Sequence, residues 1–151
     1  MGFFLTAEEL NSKTYEVIGA ALEVHKNLGF GFLEKVYENA LAVELQKRGI
    51  PFKTQQKICV HYSGKIVGDY TADILIDDWL LLELKATKAI SDSHKSQCVN
   101  YLTALNLDVC LLINFGAPKL ETQRFVARNL LSKIKDSQPE EKFLIKKINQ
   151  S

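Results

Sequence analysis

One stretch, residues 69–85, constrains the fold of this chain more than any other part of the sequence. It contains two apolar runs, Ile74–Ile76 and Trp79–Leu82, which are separated by Asp77-Asp78. Short apolar runs bounded by turn-forming residues are typical of buried strands. The stretch therefore predicts two adjacent strands in the interior of a sheet.

Three charged residues interrupt these predicted strands: Asp73, Glu83 and Lys85. Charged side chains in a buried strand are costly unless they are paired or bind a metal ion. Glu83 and Lys85 are two residues apart and share one face, because side chains alternate along a strand. A two-residue turn at Asp77-Asp78 would put Asp73 and Glu83 on opposite faces. A shared site therefore requires a connection of odd length, such as residues 77–79, or a β-bulge.

Two amphipathic helices are predicted before this region, over residues 7–28 and 33–47. Apolar residues recur at helical spacing in both segments. Thr6 suits the N-cap of the first helix and Gly29 suits its end. After the second helix, a strand is predicted over 53–62, followed by a Ser63-Gly64 hairpin turn. A strand that begins at residue 65 bends near Gly68 and continues into the central stretch. The last predicted elements are a helix over about 93–106, a buried strand over 107–115 and a short edge strand over 123–127.

The length and composition fit one globular domain. The chain has 151 residues, of which 46% are hydrophobic and 25% charged, which is ordinary for a globular protein. We expect one domain over residues 1–131 and a basic C-terminal tail over 132–151. The tail is interpreted as a short helix that docks, as a partly ordered basic tail that contacts phosphates, or, by default, as a solvated terminus.

The charge and cysteine content restrict the function classes. The formal net charge is +1, so a nucleic-acid-binding surface would need its positive charge gathered on one face. The three cysteines are widely spaced and form no Cys-x-x-Cys pair, which indicates free thiols in a reducing cytosol rather than a zinc site or disulfide framework. No secretory signal or membrane span is predicted, so we expect a cytoplasmic protein.

Short motifs in the chain resemble a known nuclease group. Asp73 followed by Glu83-Leu84-Lys85 resembles the catalytic signature of the PD-(D/E)XK nuclease superfamily. Gly31, Glu34 and Tyr37 are similar to the motif that names the bacterial GxxExxY protein family, usually grouped with those nucleases. The pair Gln97-x-x-x-Tyr101 resembles an extra motif of the RecB-like branch of the superfamily.

Two positions depart from these patterns. Ala72 stands where the superfamily has proline before its first aspartate, and Phe30 stands where the family often has proline between two glycines. The resemblance nevertheless runs from about residue 14 to residue 128. It implies an α/β, restriction-endonuclease-like core, in which a mixed sheet of about four to five strands is flanked by helices in the order αβββαβ, with an extra N-terminal helix.

The resemblance also implies the roles of the candidate site residues. Asp73 and Glu83 would bind Mg²⁺ or Mn²⁺, with the backbone carbonyl of Leu84 as a further ligand. Lys85 would orient the attacking water or stabilise developing charge. Gln97 and Tyr101 would hold Lys85 or the nucleic-acid strand from the covering helix. His94, three residues before Gln97, ranks lower as a substrate contact.

The residues alone leave open which glutamate of the second predicted helix serves the site. Glu34, Glu38 and Glu44 all belong to this helix. The resemblance favours Glu34 as a metal ligand, and the alternative reading is a surface glutamate in the first helical turn. Glu44 is interpreted as a structural acid, paired within the core face or with His25 or a lysine of the first helix.

The leading hypothesis is therefore a metal-dependent nuclease that acts on nucleic acid, with DNA as the expected substrate. The second hypothesis is a nuclease fold that binds nucleic acid or a protein without cutting. The third is an accessory subunit that forms a homodimer or joins a larger complex through its apolar helices. Fold resemblance alone does not choose among them.

Overall fold

The computed structural model describes residues 6–127 as three helices and five strands. The order and type of the elements agree with the sequence prediction, and the predicted tail over 132–151 lies outside the described residues. The elements are α1 (Ala7–Leu28), α2 (Glu34–Lys47), β1 (Phe52–Tyr62), β2 (Lys65–Ile76), β3 (Leu80–Lys85), α3 (Asp92–Leu105), β4 (Val109–Asn114) and β5 (Glu121–Val126).

Capping boxes fix the starts of two helices. The Thr6 hydroxyl accepts from Glu9 N–H at 3.1 Å, and Glu9 Oε2 accepts from Thr6 N–H at 2.9 Å. At α3, Ser91 Oγ accepts from His94 N–H while His94 Nδ1 accepts from Ser91 N–H. Such reciprocal bonds satisfy backbone donors that the first helical turn leaves free. His94 is therefore part of the capping box of α3, whose N-cap is Ser91.

The five strands form one mixed sheet in the order β1-β2-β3-β4-β5. The strands β3 and β4 are parallel and the other neighbouring pairs are antiparallel. A parallel pair needs a crossover connection, which α3 provides. This architecture confirms the expected α/β fold, a mixed sheet flanked by helices.

A separate apolar core covers each face of the sheet. One core joins α1 and α2 to side chains such as Leu80 and Leu82, while the other joins α3 to side chains such as Leu81. By the same alternation, Glu83 lies on the α3 side of β3. The sheet therefore separates α1 from α3.

The connection between β2 and β3 has the odd length that the shared site requires. Ile76 pairs with Leu80 and Ile74 pairs with Leu82, which leaves residues 77–79 as the loop. Both aspartates of the loop have positive φ, 50° at Asp77 and 61° at Asp78. Continuing this register would put Asp73 opposite Glu83.

The side-chain alternation of β2 is interrupted at Asp73. Ala72 packs in the α3 core, whereas Ile74, two residues later, packs in the core of α1 and α2. On the neighbouring strand, Gln55 lies between the pairs that involve Ile74 and Ala72, and it has a φ of 54°. A left-handed residue within a strand is typical of a local bend. The bend turns Asp73 out of the regular strand pattern.

The β1–β2 hairpin ends in the predicted two-residue turn. Ser63 and Gly64 both have positive φ, as a tight hairpin turn requires. The strand register shifts between Val60 and His61, and Val60 pairs with Gly68. This register shift lies beside Gly68, where the sequence predicted a bend.

Candidate active site

The site lies where β2 and β3 part. The pairing of these strands ends at Ile74 and Leu82. Beyond that point, Leu84 N–H donates to Asp73 Oδ2 at 2.9 Å. A side-chain carboxylate thus accepts the hydrogen bond that a backbone carbonyl would accept in a continuing ladder. This bond holds the Asp73 carboxyl group beside the backbone that follows Glu83.

Glu83 is buried without full hydrogen bonding. Its relative exposure is 4%, and within residues 6–127 its Oε1 is the buried side-chain oxygen or nitrogen that has no hydrogen-bond partner. Buried polar groups are nearly always satisfied, and an unsatisfied one is destabilising. Glu83 Oε1 is therefore the atom at which a ligand or cation is most expected.

Burial raises the pKa values of both carboxyl groups. Burial, followed by the charge of Asp73, raises the pKa of Glu83 to about 8. The pKa of Asp73 is raised to about 6, mainly by burial and to a smaller extent by the charges of Glu34 and Glu38, against the opposing hydrogen bond from Leu84 N–H. Two neighbouring carboxyl groups in a poorly solvated place cannot both ionise easily. A nearby cation would allow both to do so.

Lys85 lies close to these carboxyl groups. Its charge lowers the pKa values of Asp73 and Glu83, although the effects of burial are larger. The Lys85 carbonyl accepts from Phe115 N–H at 2.8 Å, which fixes the end of β3. Asp73, Glu83 and Lys85, which the sequence predicted as one site, are brought together.

Gln97 and Tyr101 approach the site from α3. Gln97 Nε2 donates to Tyr101 Oη at 2.9 Å. Burial, followed by the charge of Glu83, raises the pKa of Tyr101 to about 12. The hydroxyl is therefore protonated at neutral pH, and its own proton remains to be donated. The ring of Tyr101 also contacts Tyr70, with 5.6 Å between ring centroids.

The glutamates of α2 take three different positions. Glu34 is exposed at the first residue of the helix, and its charge raises the pKa values of Asp73 and Glu83. Glu38 is buried and accepts from Lys35 Nζ at 2.7 Å and from Gln55 Nε2. Glu34 and Glu38 therefore both lie near Asp73.

Glu44 is not near the site. It accepts from Arg48 Nε at 3.0 Å and forms a 3.6 Å ion pair with Lys47, both on its own helix. Of the two alternatives that the sequence left open, these ion pairs support a paired structural acid, while His25 Nε2 contacts the Ala117 carbonyl at 2.9 Å. Glu44 is a structural acid as predicted, but a local one.

Tyr37 anchors the loop that precedes Glu34. Tyr37 Oη donates to the Gly29 carbonyl at 2.6 Å and accepts from Phe32 N–H at 3.3 Å. Its buried ring stacks on Phe115 with 4.8 Å between centroids. Gly31 has a φ of 113°, a conformation that side chains rarely adopt. The Gly31, Glu34 and Tyr37 pattern thus combines one residue near the carboxyl groups with two that shape the loop.

Sequence reasoning missed two features of the site. It did not pair Gln55 with Glu38, and it did not identify Tyr70, whose ring lies against Tyr101. Glu38 was one of the candidate glutamates, but Gln55 comes from a different element and no spacing in the sequence connects the two. The residue types around Gln55 give no indication that it adopts a left-handed backbone conformation within a strand. The position of Tyr70, three residues before Asp73, was the available signal.

The donor set fits a hard divalent cation, although it is incomplete as it stands. Within residues 6–127, no three His, Cys, Asp or Glu side chains are close enough to hold a metal ion. Two carboxyl groups and the Leu84 carbonyl offer only oxygen donors, which Mg²⁺ and Mn²⁺ prefer. The unsatisfied Glu83 Oε1 and the raised pKa values are what a cation would relieve. Of the two nearby carboxylates of α2, Glu34 is exposed and could complete the set, whereas Glu38 is bound by Lys35 and Gln55.

Comparisons with known proteins give one strong match. A family model described as the PD-(D/E)XK nuclease superfamily matches residues 11–125. Among solved structures, an alkaline exonuclease from Laribacter hongkongensis is similar at 11% identity and a TM-score of 0.46, over 75% of this chain and 70% of that one. A comparison with curated proteins finds no match. In the described part of the chain, none of the helices combines the length and apolar character needed to cross a membrane.

Proposed function

The chain belongs to the PD-(D/E)XK nuclease superfamily, and on that premise we propose that it is a metal-dependent nuclease that hydrolyses phosphodiester bonds of nucleic acid, with DNA as its substrate. One observation carries the proposal. Glu83 presents a buried oxygen without a hydrogen-bond partner, next to a second carboxyl group and a lysine. A merely structural glutamate would be expected to have its partners.

The proposed metal ligands are oxygen atoms at the end of the β2–β3 pairing. Asp73 and Glu83 would hold Mg²⁺ or Mn²⁺, with the carbonyl of Leu84 and the carboxylate of Glu34 completing the set. When bound, such a cation supplies positive charge that stabilises the extra negative charge of the phosphoryl oxygens in the transition state. The hydrogen bond from Leu84 N–H keeps Asp73 oriented for this role.

The remaining residues act on the water and on the strand. Hydrolysis forms a bond between a water oxygen and phosphorus, and it breaks the bond between phosphorus and the leaving sugar oxygen. Lys85 would orient that water or stabilise the developing negative charge, because it lies close to both carboxyl groups. Gln97 and Tyr101, which are hydrogen-bonded to each other, would hold Lys85 or the bound strand from α3.

A cleavage assay tests the proposal directly. Single- and double-stranded DNA and RNA would be incubated with Mg²⁺, Mn²⁺ or EDTA, using wild type, Asp73→Ala and Lys85→Ala. We expect metal-dependent cutting that falls by about 100-fold or more in each variant, since each loses a group that stabilises the transition state. Exposed residues remote from the site supply matched controls, Asp78→Ala in the β2–β3 loop and Lys26→Ala on α1.

The same assay addresses the alternative of a non-cutting binding module. The net charge of +1 favours this alternative mildly, since it supplies no bulk attraction for phosphates. Nucleic-acid binding by a wild type that cuts nothing under any metal would support the module and contradict the proposal. Cutting that persists in both Asp73→Ala and Lys85→Ala would show that the site lies elsewhere or that the activity is a contaminant.

A further inference from the structure

A groove of about 860 Å³ lies between α3 and the β1–β2 hairpin. Ser96, Gln97 and Asn100 line it from α3, and His61 and Tyr70 line it from the strands. Its volume falls in the range of small-ligand sites, about 300–1,000 Å³. The groove is therefore large enough to hold a nucleotide.

The groove adjoins the candidate active site, because Gln97 and Tyr101 belong to both. Tyr101 shares a core with Ala72, the residue before Asp73, and with Leu81, which lies two residues before Glu83 on the same face of β3. Tyr70 belongs to the same strand as Asp73 and precedes it by three residues. A strand whose phosphate reached the carboxyl groups would therefore have its adjoining nucleotide at the groove.

Tyr70 presents a fixed aromatic surface to the groove. Its relative exposure is 48%, and its ring is tilted by 47° against that of Tyr101. A Cβ atom added at Gly68 would lie 3.3 Å from Cε2 of Tyr70. The absence of a side chain at Gly68 therefore gives the Tyr70 ring room in its position. The ring is thus supported on one side and open on the other, as a stacking surface requires.

The chemistry of the lining suits a nucleobase. None of the described residues that line the groove is acidic, so nothing there repels a phosphodiester strand. Amide and hydroxyl side chains, such as Asn100 and Ser96, can hydrogen-bond to base edges. An aromatic ring flanked by such groups is the usual platform for unpaired bases.

We infer that this groove binds an unpaired nucleotide of the strand that is cut, with its base stacked on Tyr70. The inference rests on the proposed function and specifies its substrate as single-stranded nucleic acid or a frayed end. The paired and stacked bases of a duplex do not offer their faces to such a ring. Tyr70 is then a substrate-binding residue that the nuclease motifs do not include.

Binding measurements without cleavage test the inference. Fluorescence anisotropy would be recorded in EDTA with a labelled 12-nucleotide single strand and with its duplex. We expect Tyr70→Ala to weaken single-strand binding about tenfold or more, as the loss of one stacked base predicts. We expect Tyr70→Phe to retain binding, because the ring remains. Tyr15→Ala, an exposed tyrosine of α1, is the matched control.

A second pair of variants leaves the strand packing untouched. Asn100→Glu adds a negative charge inside the groove, whereas Val99→Glu adds the same charge to the same helix outside it. We expect only Asn100→Glu to weaken single-strand binding severalfold. Wild-type single-strand affinity in both Tyr70→Ala and Asn100→Glu, or an equal loss for the duplex, would overturn the inference.

The outcomes separate this inference from the proposed function. Unchanged single-strand binding in both Tyr70→Ala and Asn100→Glu, together with cutting that requires Asp73, would overturn the groove inference and support the nuclease proposal. If single-strand binding depends on Tyr70 but the protein cuts no substrate, the groove inference would be supported and the proposed nuclease activity would be contradicted. Wild type that binds no single strand would overturn the inference whatever it cuts.

Discussion

Glu83 is a carboxyl group that the fold removes from water without giving Oε1 a hydrogen-bond donor. Its pKa of about 8 means that, without a cation, the folded protein holds a proton there at neutral pH. The unfolded chain would release that proton near the ordinary value of 4.5. At the scale of one residue, the site is therefore strained in its ionised form and relieved by a proton or a metal ion.

The first prediction concerns stability against pH without metal. The folded state binds more protons than the unfolded state between about pH 4.5 and 8, so the free energy of unfolding should fall as pH rises through this window. Raising the pH from 5 to 8.5 in EDTA should lower the free energy of unfolding of wild type by about 2–4 kcal/mol more than that of Glu83→Gln. Urea unfolding followed by circular dichroism measures both proteins.

Glu44→Gln serves as the control for this comparison. Its pairing with Arg48 lowers the pKa of Glu44, so this carboxylate stays ionised throughout the window and contributes no slope. Its stability should run parallel to that of wild type from pH 5 to 8.5. A Glu83→Gln profile that also runs parallel to wild type would show that Glu83 is ionised in the folded protein.

At the scale of elements, the Asn114 side chain at the end of β4 hydrogen-bonds to the backbone just beyond the end of β3. Asn114 Oδ1 accepts from Thr87 N–H and from Gly116 N–H, both at 3.0 Å, and Asn114 Nδ2 donates to the Thr87 carbonyl at 2.9 Å. A side chain at Gly116 would overlap the backbone of Thr87 and Ala86. This close contact lies just beyond Lys85, so it positions the strand end that carries the lysine.

The second prediction follows from this contact. Gly116→Ala should destabilise the protein by about 2–4 kcal/mol, because two backbone segments must separate and hydrogen bonds at Asn114 are disturbed. In Gly19→Ala, the added methyl group meets only the flexible tip of Arg48, within a helix. The free energy of unfolding of this control should rise by up to about 1 kcal/mol. Urea denaturation compares the two, and equal stabilities would contradict a close-packed contact at Gly116.

At the scale of the whole molecule, the sheet carries a core on each face, and the candidate site opens where β2 and β3 part. Helix α2 contributes Glu34 from one side, and α3 contributes Gln97 and Tyr101 from the other. A cation held by groups from several elements would connect them. Metal binding should therefore be visible in the unfolding of the entire domain.

The third prediction is that Mg²⁺ or Mn²⁺ raises the melting temperature at pH 8. At a hundredfold excess over Kd, binding adds about 2.7 kcal/mol, which corresponds to a rise of about 5–10 °C for a chain of this size. The rise should vanish in Asp73→Asn and shrink in Glu34→Gln. It should persist in Glu44→Gln, whose carboxylate is engaged with Lys47 and Arg48. Differential scanning fluorimetry measures each shift, and a rise that persists in Asp73→Asn would contradict the assigned ligands.

The elements and the site motif were accessible from sequence because their causes are local. Thr6 and Ser91 cap helices through neighbours three residues away, and Ser63-Gly64 forms a turn by its own backbone preference. The odd loop over 77–79 was required by the alternation of side chains, once Asp73 and Glu83 were assumed to share a site. Motif resemblance supplied that assumption, since periodicity alone does not group these residues.

Sequence by itself thus determined which segments form helices and strands, and which charged residues are candidates for the chemistry. Only the tertiary structure decided how those residues behave. The raised pKa of Glu83, the hydrogen bond from Leu84 to Asp73, the bend at Gln55 and the position of Tyr70 against Tyr101 each depend on segments distant in the chain. Propensity and periodicity act between neighbours, whereas desolvation and close contact arise when remote segments exclude water from the same place.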